Sequence, residues 1–483
     1  MTFNSWEFLI FFPIVALLYY LLPKRARWPM LLIASYYFYM FYQASLVVLI
    51  LVSTLVSWVA SIIIEHAHTR AVKRISLAAA LAVSLGILFF FKYFNFLFGS
   101  FAGIVTLLGG EPPRLVLELV LPVGISFYTF QTLSYVIDVY RGDVKCERNF
   151  FFYALFVSFF PQLVAGPIER PGNLIPQLRA EHKFTRGNFT RGSKLMILGF
   201  FKKICVADAI APFVDSVYNS PAEADALGIV IATVLFAVQI YCDFSGYTDI
   251  ATGCARVMGI RLMKNFDHPY SATSIKDFWS RWHISLSGWL RDYLYIPLGG
   301  SRRSRARTLL NILVVFLVSG LWHGASWTFV IWGAMHGVYR IAGTLTERPR
   351  AALLGRLGKS ESSGSVRAVR RVLTFSLVTA SWLFFRANSV ADAGTLIAAL
   401  FTRFVSLPET LSAMGLGFTE LATVILSVAT LFLLDRLVDY GECDGSDVLV
   451  RDGGFAKYLW VIMLVWLLLL SEGRESSFIY FQF

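Results

Sequence analysis

Two histidines stand in surroundings that do not explain them. His323 lies in Gly320-Leu321-Trp322-His323-Gly324-Ala325-Ser326-Trp327, flanked by glycines within an apolar stretch running from Leu309 to Ile341. Charged groups at membrane depth cost roughly 2.5 to 3.5 kcal/mol on insertion scales, so ionisable residues there are functional candidates by default. A neutral histidine costs less, and with a pKa of about 6.5 it can take and return a proton near neutral pH, as a general base activating a hydroxyl must. The competing reading is a structural histidine that hydrogen-bonds across helices. His336, in Trp332-Gly-Ala-Met-His336-Gly337, is a further candidate, whereas His66, His68, His182 and His268 fall in loops or at the ends of apolar segments.

The second unusual histidine is His283. It sits in Ser274 to Tyr295, where Phe278, Trp282, Leu286, Trp289 and Tyr293 recur every three or four residues and predict one amphipathic helix. Asp277 and Arg281, four apart, can pair on its polar side, and Pro297 with Gly299-Gly300 ends it. That stripe alone describes an interfacial helix on the cytoplasmic leaflet, and His283 is the residue it leaves unaccounted for. A third peculiarity follows the polar stretch Ser471 to Ser477: the tail Phe478-Ile-Tyr-Phe-Gln-Phe483, unfavourable in water. It either packs into a helical groove or uses Tyr480, whose phenol needs an adjacent base to act as a nucleophile at neutral pH. Neither a GxSxG elbow nor a phosphate loop appears. Cys146, Cys205, Cys242, Cys254 and Cys443 have no metal-ligand spacing and are odd in number, so neither a metal site nor a disulfide framework is expected.

These residues must be positioned by a membrane protein. Of 483 residues, 57% are hydrophobic and 15% charged, against about 25% charged in soluble domains. With a mean hydropathy of +0.63, a water-soluble globule and a disordered chain are both excluded. The net charge of +12 does not indicate nucleic acid, because the basic residues cluster between apolar runs as topology signals. Apolar segments lie near 6–22, 28–41, 44–64, 75–98, 115–139, 195–215, 227–247, 309–321, 324–345, 372–386, 391–405, 419–435 and 457–471. They predict about 10 to 12 spans, with 28–41, 150–165 and 309–321 as re-entrant or partly buried pieces. Phe8 to Leu22 runs into Pro23-Lys24 and reads as a retained anchor. Lys24, Arg25 and Arg27 put the first loop inside and the amino terminus outside, which leaves 261–307 and 346–371 cytoplasmic. The latter reads as a flexible basic linker. No internal repeat is visible, so residues 1–483 read as one all-helical integral-membrane domain.

Several motifs resemble the membrane-bound O-acyltransferase family, specifically the bacterial branch of alginate O-acetylation and teichoic-acid D-alanylation proteins. They are Pro122-Val-Gly-Ile-Ser-Phe-Tyr-Thr-Phe130, Phe160-Pro-Gln-Leu-Val-Ala-Gly-Pro-Ile168, Tyr241-Cys-Asp-Phe-Ser-Gly-Tyr-Thr-Asp249, Asp277-Phe-Trp-Ser-Arg-Trp-His283, Trp289-Leu-Arg-Asp-Tyr-Leu-Tyr-Ile-Pro-Leu-Gly299 and Leu321-Trp-His-Gly-Ala325. The series covers 120–340. Phe8-Leu-Ile-Phe-Phe-Pro13 and Ala34-Ser-Tyr-Tyr-Phe-Tyr39 also look like family segments.

The resemblance implies a ring of helices around a central tunnel, with His323 as the catalytic histidine and His283 as the second active-site position. Asp277, Arg281, Trp282, Arg291 and Trp322 are implied as donor or structural support. It also implies an acetyl donor carried as a cytoplasmic thioester of coenzyme A or an acyl carrier protein, and no bound cofactor. The acceptor is then an exported polysaccharide, reached through a secreted or membrane-anchored esterase-fold (SGNH-like) partner. The tail 478–483 resembles the FxYxxF-type motif of the D-alanylation system, which makes Tyr480 an acyl-acceptor candidate. Two other readings compete, D-alanyl transfer from a carrier protein to teichoic acid and a polysaccharide or lipid transporter without chemistry. A transporter is expected to line a path with several ionisable residues, which this chain does not display.

Overall fold

The computed structural model describes residues 1–41, 44–112, 115–117, 119–437 and 462–467, and every regular element assigned among them is helical. Tyr480, the 478–483 motif and most of the 457–471 segment lie outside the described residues.

Where apolar runs are long and uninterrupted, helices able to cross a bilayer form: Ala44–His66, Arg70–Leu107, Ala226–Val257, Arg305–His323 and Gly364–Arg386. Leu407–Ala413 and Phe418–Leu433, bent by 90° at their junction, supply one more if they form a single broken span. The described residues thus contain five or six such spans, and most other expected segments form shorter or interrupted helices. Trp6–Leu21 and Val390–Thr402 are short, and the 150–165 stretch divides into the buried helices Phe150–Ser158 and Phe160–Leu163. Within 115–139 the helix begins only at Ile125. Gly124 turns the chain there with φ 75, and a Cβ at that position would lie 2.6 Å from the Leu163 carbonyl oxygen, so only glycine fits. The 309–321 stretch lies within one continuous, partly buried helix, Arg305–His323, which Ser304 caps by accepting from the Arg307 amide. The 346–371 segment, expected as a flexible basic linker, contains regular structure. It is helical over Glu347–Arg356 and again from Gly364, where Arg370 pairs with Glu361 at 3.0 Å.

The chain forms two compact units. The first combines Met1–Met196 with Tyr247–Met263. Its interior is aromatic, with Phe8, Phe38, Tyr128, Tyr153, Phe156 and Phe160 buried, while Ile10, Leu17, Leu21 and Ile33 face outward as a lipid-exposed surface would. The second combines Ile197–Gly246 with the chain from Lys264 onward. Its centre is the hairpin of Arg305–His323 and Trp327–Leu345. Gly320 and Gly333 meet across it with a Cβ built on one only 3.3 Å from the Cα of the other. Any side chain there would strike the Phe329 or Phe316 carbonyl, so two glycines let the backbones touch and set the end of the helix that carries His323.

Candidate active site

His323 is the last residue of helix Arg305–His323, and Gly324 leaves the helix in an extended conformation. A proton accepted there puts positive charge at the negative end of a helix. The imidazole is only 3% exposed and meets Trp322 at 5.1 Å, Trp332 at 5.1 Å and Phe385 at 5.4 Å between ring centroids, all edge to face.

His283 is positioned by a different device. The expected single helix over 274–295 is instead two short helices, Ile275–Trp279 and Ile284–Leu290, followed by a wider turn at Arg291–Tyr295. The break falls at His283, whose φ of 45 is left-handed and costs about 1–3 kcal/mol in a residue with a side chain. Tertiary bonds repay that cost. The Ile284 amide donates to the Asn265 carbonyl at 2.9 Å and the Asp267 amide to the Arg281 carbonyl at 2.9 Å, replacing bonds a continuous helix would make.

Asn265, 1% exposed, is the residue that orients His283. Its Oδ1 lies 3.2 Å from the Ser285 amide nitrogen, 2.9 Å from Ser285 Oγ and 3.1 Å from His283 Nδ1. A backbone N–H can only donate, so this side-chain atom is the oxygen, and His283 Nδ1 must carry the proton it donates. The Nε2 lone pair is therefore the basic one. Burial lowers the His283 pKa to about 3, so the ring is neutral throughout the physiological range and can accept a hydrogen bond.

The two imidazoles are brought together with centroids 6.3 Å apart. Two rings bridged by one hydroxyl oxygen have centroids roughly 6 to 8 Å apart, so this separation suits an acceptor oxygen held between them. Trp322 packs against both rings, 5.6 Å from His283, and Phe244 meets His283 edge to face at 4.7 Å. Trp282, the residue before His283, is also buried. Asp277 and Arg281 do form the expected ion pair, at 2.7 Å, and Arg281 also donates to the Asp267 carbonyl, so its charge is locally matched and it braces the loop. Arg291 is exposed and pairs with its neighbour Asp292.

A cavity of about 430 Å³ in the same unit is lined by Arg281, Arg371, His268, Tyr241 and Tyr270 among others, and Tyr270 packs 6.1 Å from Trp282. In the same unit, Lys203 is buried with its Nζ 2.8 Å from Asp208 and 2.6 Å from Asp243, which immediately precedes Phe244. Asn265 and Phe385 were not visible as site residues in the sequence. Asn265 lies 18 residues from His283 and Phe385 lies 62 from His323, and no periodicity marks either.

Replacing Asn265 with leucine, which has a similar shape, strands three donors that its oxygen now accepts. Each stranded buried donor costs about 1–3 kcal/mol. A lowered melting temperature of the detergent-purified protein is expected, together with activity at least about tenfold below wild type because His283 loses its tautomer. Unchanged values for both would remove Asn265 from the site.

A family model for the membrane-bound O-acyltransferase family (MBOAT) matches residues 147–351. The chain is 39% identical over 432 residues to a "Probable alginate O-acetylase" of Azotobacter vinelandii, covering 88% of this chain and 83% of the relative. It is 32% identical over 429 residues to a peptidoglycan O-acetyltransferase of Helicobacter pylori, covering 81% and 78%. A teichoic acid D-alanyltransferase of Bacillus subtilis matches at 28% over 241 residues, covering 47% and 59%.

Proposed function

This chain belongs to the membrane-bound O-acyltransferase family and is a multi-pass O-acetyltransferase, and from that premise we propose how its residues act and on what. The acceptor is an exported polysaccharide of the kind named for its relatives, alginate or peptidoglycan. The observation that carries the mechanism is the buried pair of His283 and His323, 6.3 Å apart in an aromatic enclosure. His323 takes the proton of the acceptor hydroxyl and His283 Nε2 helps hold that hydroxyl. The oxygen attacks the thioester carbonyl, the new C–O bond replaces the C–S bond, and the thiolate leaves to take up a proton. Water is excluded by the rings, which protects the thioester from hydrolysis and strengthens each polar contact.

The donor is an acetyl thioester of coenzyme A or of an acyl carrier protein, anionic in either case. The cavity lined by Arg281 and Arg371 supports a phosphate-bearing donor, since two guanidinium groups line it and Arg371 is oriented there by its Nε bond to the Ser271 carbonyl. The enzyme lies in the bacterial cytoplasmic membrane with its amino terminus outside, and delivery to the glycan uses an esterase-fold (SGNH-like) partner. Acetyl rather than D-alanyl transfer is favoured by the match to the O-acetylase over most of the chain, against about half for the D-alanyltransferase. In reconstituted vesicles with a cysteine at Ser304 reporting orientation, labelled acetyl coenzyme A is expected to support transfer only on the face bearing Arg302, Arg303, Arg305 and Arg307. Transfer from the opposite face would invert this topology, and transfer only from an acetylated carrier protein would replace coenzyme A as donor.

A further inference from the structure

His336, fully buried, has both ring nitrogens engaged. Trp279 Nε1 donates to its Nδ1 at 3.2 Å, and Ser381 Oγ lies 2.9 Å from its Nε2. An indole N–H only donates, so Nδ1 carries a lone pair and the neutral ring holds its proton on Nε2. That proton goes to Ser381, whose own hydrogen goes to the Val378 carbonyl at 2.6 Å. The series stops at a backbone carbonyl and so does not lead a proton anywhere. It joins three segments instead: Ile275–Trp279, Trp327–Leu345 and Gly364–Arg386.

A leucine or phenylalanine would fill this space without needing partners, so the polar ring has to be understood through what its bonds hold. Trp332, one turn earlier on the same helix, packs 4.9 Å from His336 and presents its ring at 88° to His323. Trp382, next to Ser381, stacks on Trp332 at 5.6 Å and lies 5.3 Å from Trp282, the residue before His283. Both walls of the enclosure are thus tied to one imidazole.

We propose that His336 is a positioning residue for acyl transfer: a neutral imidazole, protonated on Nε2, that locks Trp279 and Ser381 and through Trp332 and Trp382 holds His323 and His283 in register. It acts through the pair and does not touch the substrate. The proposal rests on the reading of His323 as the base.

The test compares purified His336→Leu and His336→Asn. The two side chains have nearly the same shape, but the asparagine carbonyl reaches the position of Nδ1 and can accept from Trp279. The leucine variant is expected to lose kcat by on the order of ten- to a hundredfold, with KM for the acetyl thioester within about twofold of wild type. His336→Asn is expected to recover much of that loss, and in a Trp279→Phe background the two variants become equal. A purely structural histidine would lower the folded fraction and melting temperature without this split. Wild-type kcat in folded His336→Leu, or equal impairment of Asn and Leu with Trp279 present, would overturn the proposal. If His336→Leu does not fold, Trp279→Phe and Ser381→Ala each remove one bond, and unchanged kcat in both would equally overturn it. His323→Ala, assayed in parallel, separates the two readings. If it is inactive while folded His336→Leu is fully active, only the positioning role fails. If His323→Ala is fully active, the base itself is wrong whatever His336 shows.

Discussion

His323→Ala is expected to abolish polymer O-acylation while the protein still inserts and purifies as a folded species. A positioned general base contributes about 10²- to 10⁴-fold. His323 stands in an enclosure walled by Trp322, Trp332 and Phe385, and the neighbouring His283 is held through Nδ1 by Asn265. Removing a neutral ring strands no charge. It does leave a cavity, so alanine also carries a packing cost of about 1–3 kcal/mol. His323→Gln, which fills more of the space and cannot serve as a base, distinguishes the two effects: it should be nearly as inactive as alanine but closer to wild type in melting temperature. The measurement is acetyl released from the glycan of complemented cells, set against the amount of folded protein in the membrane. Near wild-type acylation by either variant would remove His323 from the mechanism. His283→Ala should lower activity but leave a residue of it, since it removes the partner that holds the hydroxyl and spares the base.

Tyr480→Phe is expected to eliminate transfer to polymer without disturbing the enzyme. We propose that Tyr480 carries the acetyl group between the His323 site and the extracellular partner, on the ground that the apolar tail Phe478 to Phe483 contains a single hydroxyl. The substitution keeps the ring and nearly all its packing area, so a merely packed tail should lose one hydrogen bond, of order 1 kcal/mol, and acylation should persist. If Tyr480 is the acceptor, its oxygen forms the ester as the thiolate leaves, and the ester is then cleaved by the partner. Mass spectrometry of the wild-type terminal peptide should show an acetyl-sized, hydroxylamine-sensitive adduct that the phenylalanine variant lacks. Full polymer acylation by Tyr480→Phe would leave direct transfer to an external acceptor.

Release of free thiol from the acetyl donor should be lost in both His323→Ala and Tyr480→Phe if Tyr480 is the first acceptor, whereas its retention in Tyr480→Phe would mean that another hydroxyl accepts the group first. Loss of thiol release and of polymer acylation in both variants would place Tyr480 in the buried site itself.

Composition, apolar periodicity and a few motifs determined a good deal by themselves. Long apolar runs with basic clusters between them require helices in a bilayer, because each helix satisfies its own backbone groups, and that is a local property. His323 was legible for the same reason: a histidine bracketed by glycines in an apolar run is conspicuous without any partner being known. Gly320 could be seen there too, but not that it meets Gly333 to fix the end of that helix. The aromatic stripe through Phe278, Trp282, Leu286 and Trp289 predicted one amphipathic interfacial helix, whereas the structure buries all four residues and divides the stretch into two short helices. Periodicity reports which residues face inward, but it cannot report that amides at Ile284 and Ser285 find Asn265, nearly twenty residues away, and turn the chain at His283. His336 shows the limit most plainly. Its sequence context marked it only as a further candidate beside His323. Its role is set by Trp279 and Ser381, 57 and 45 residues distant, because a buried imidazole takes its tautomer from whatever donor and acceptor the packed helices bring to its two nitrogens.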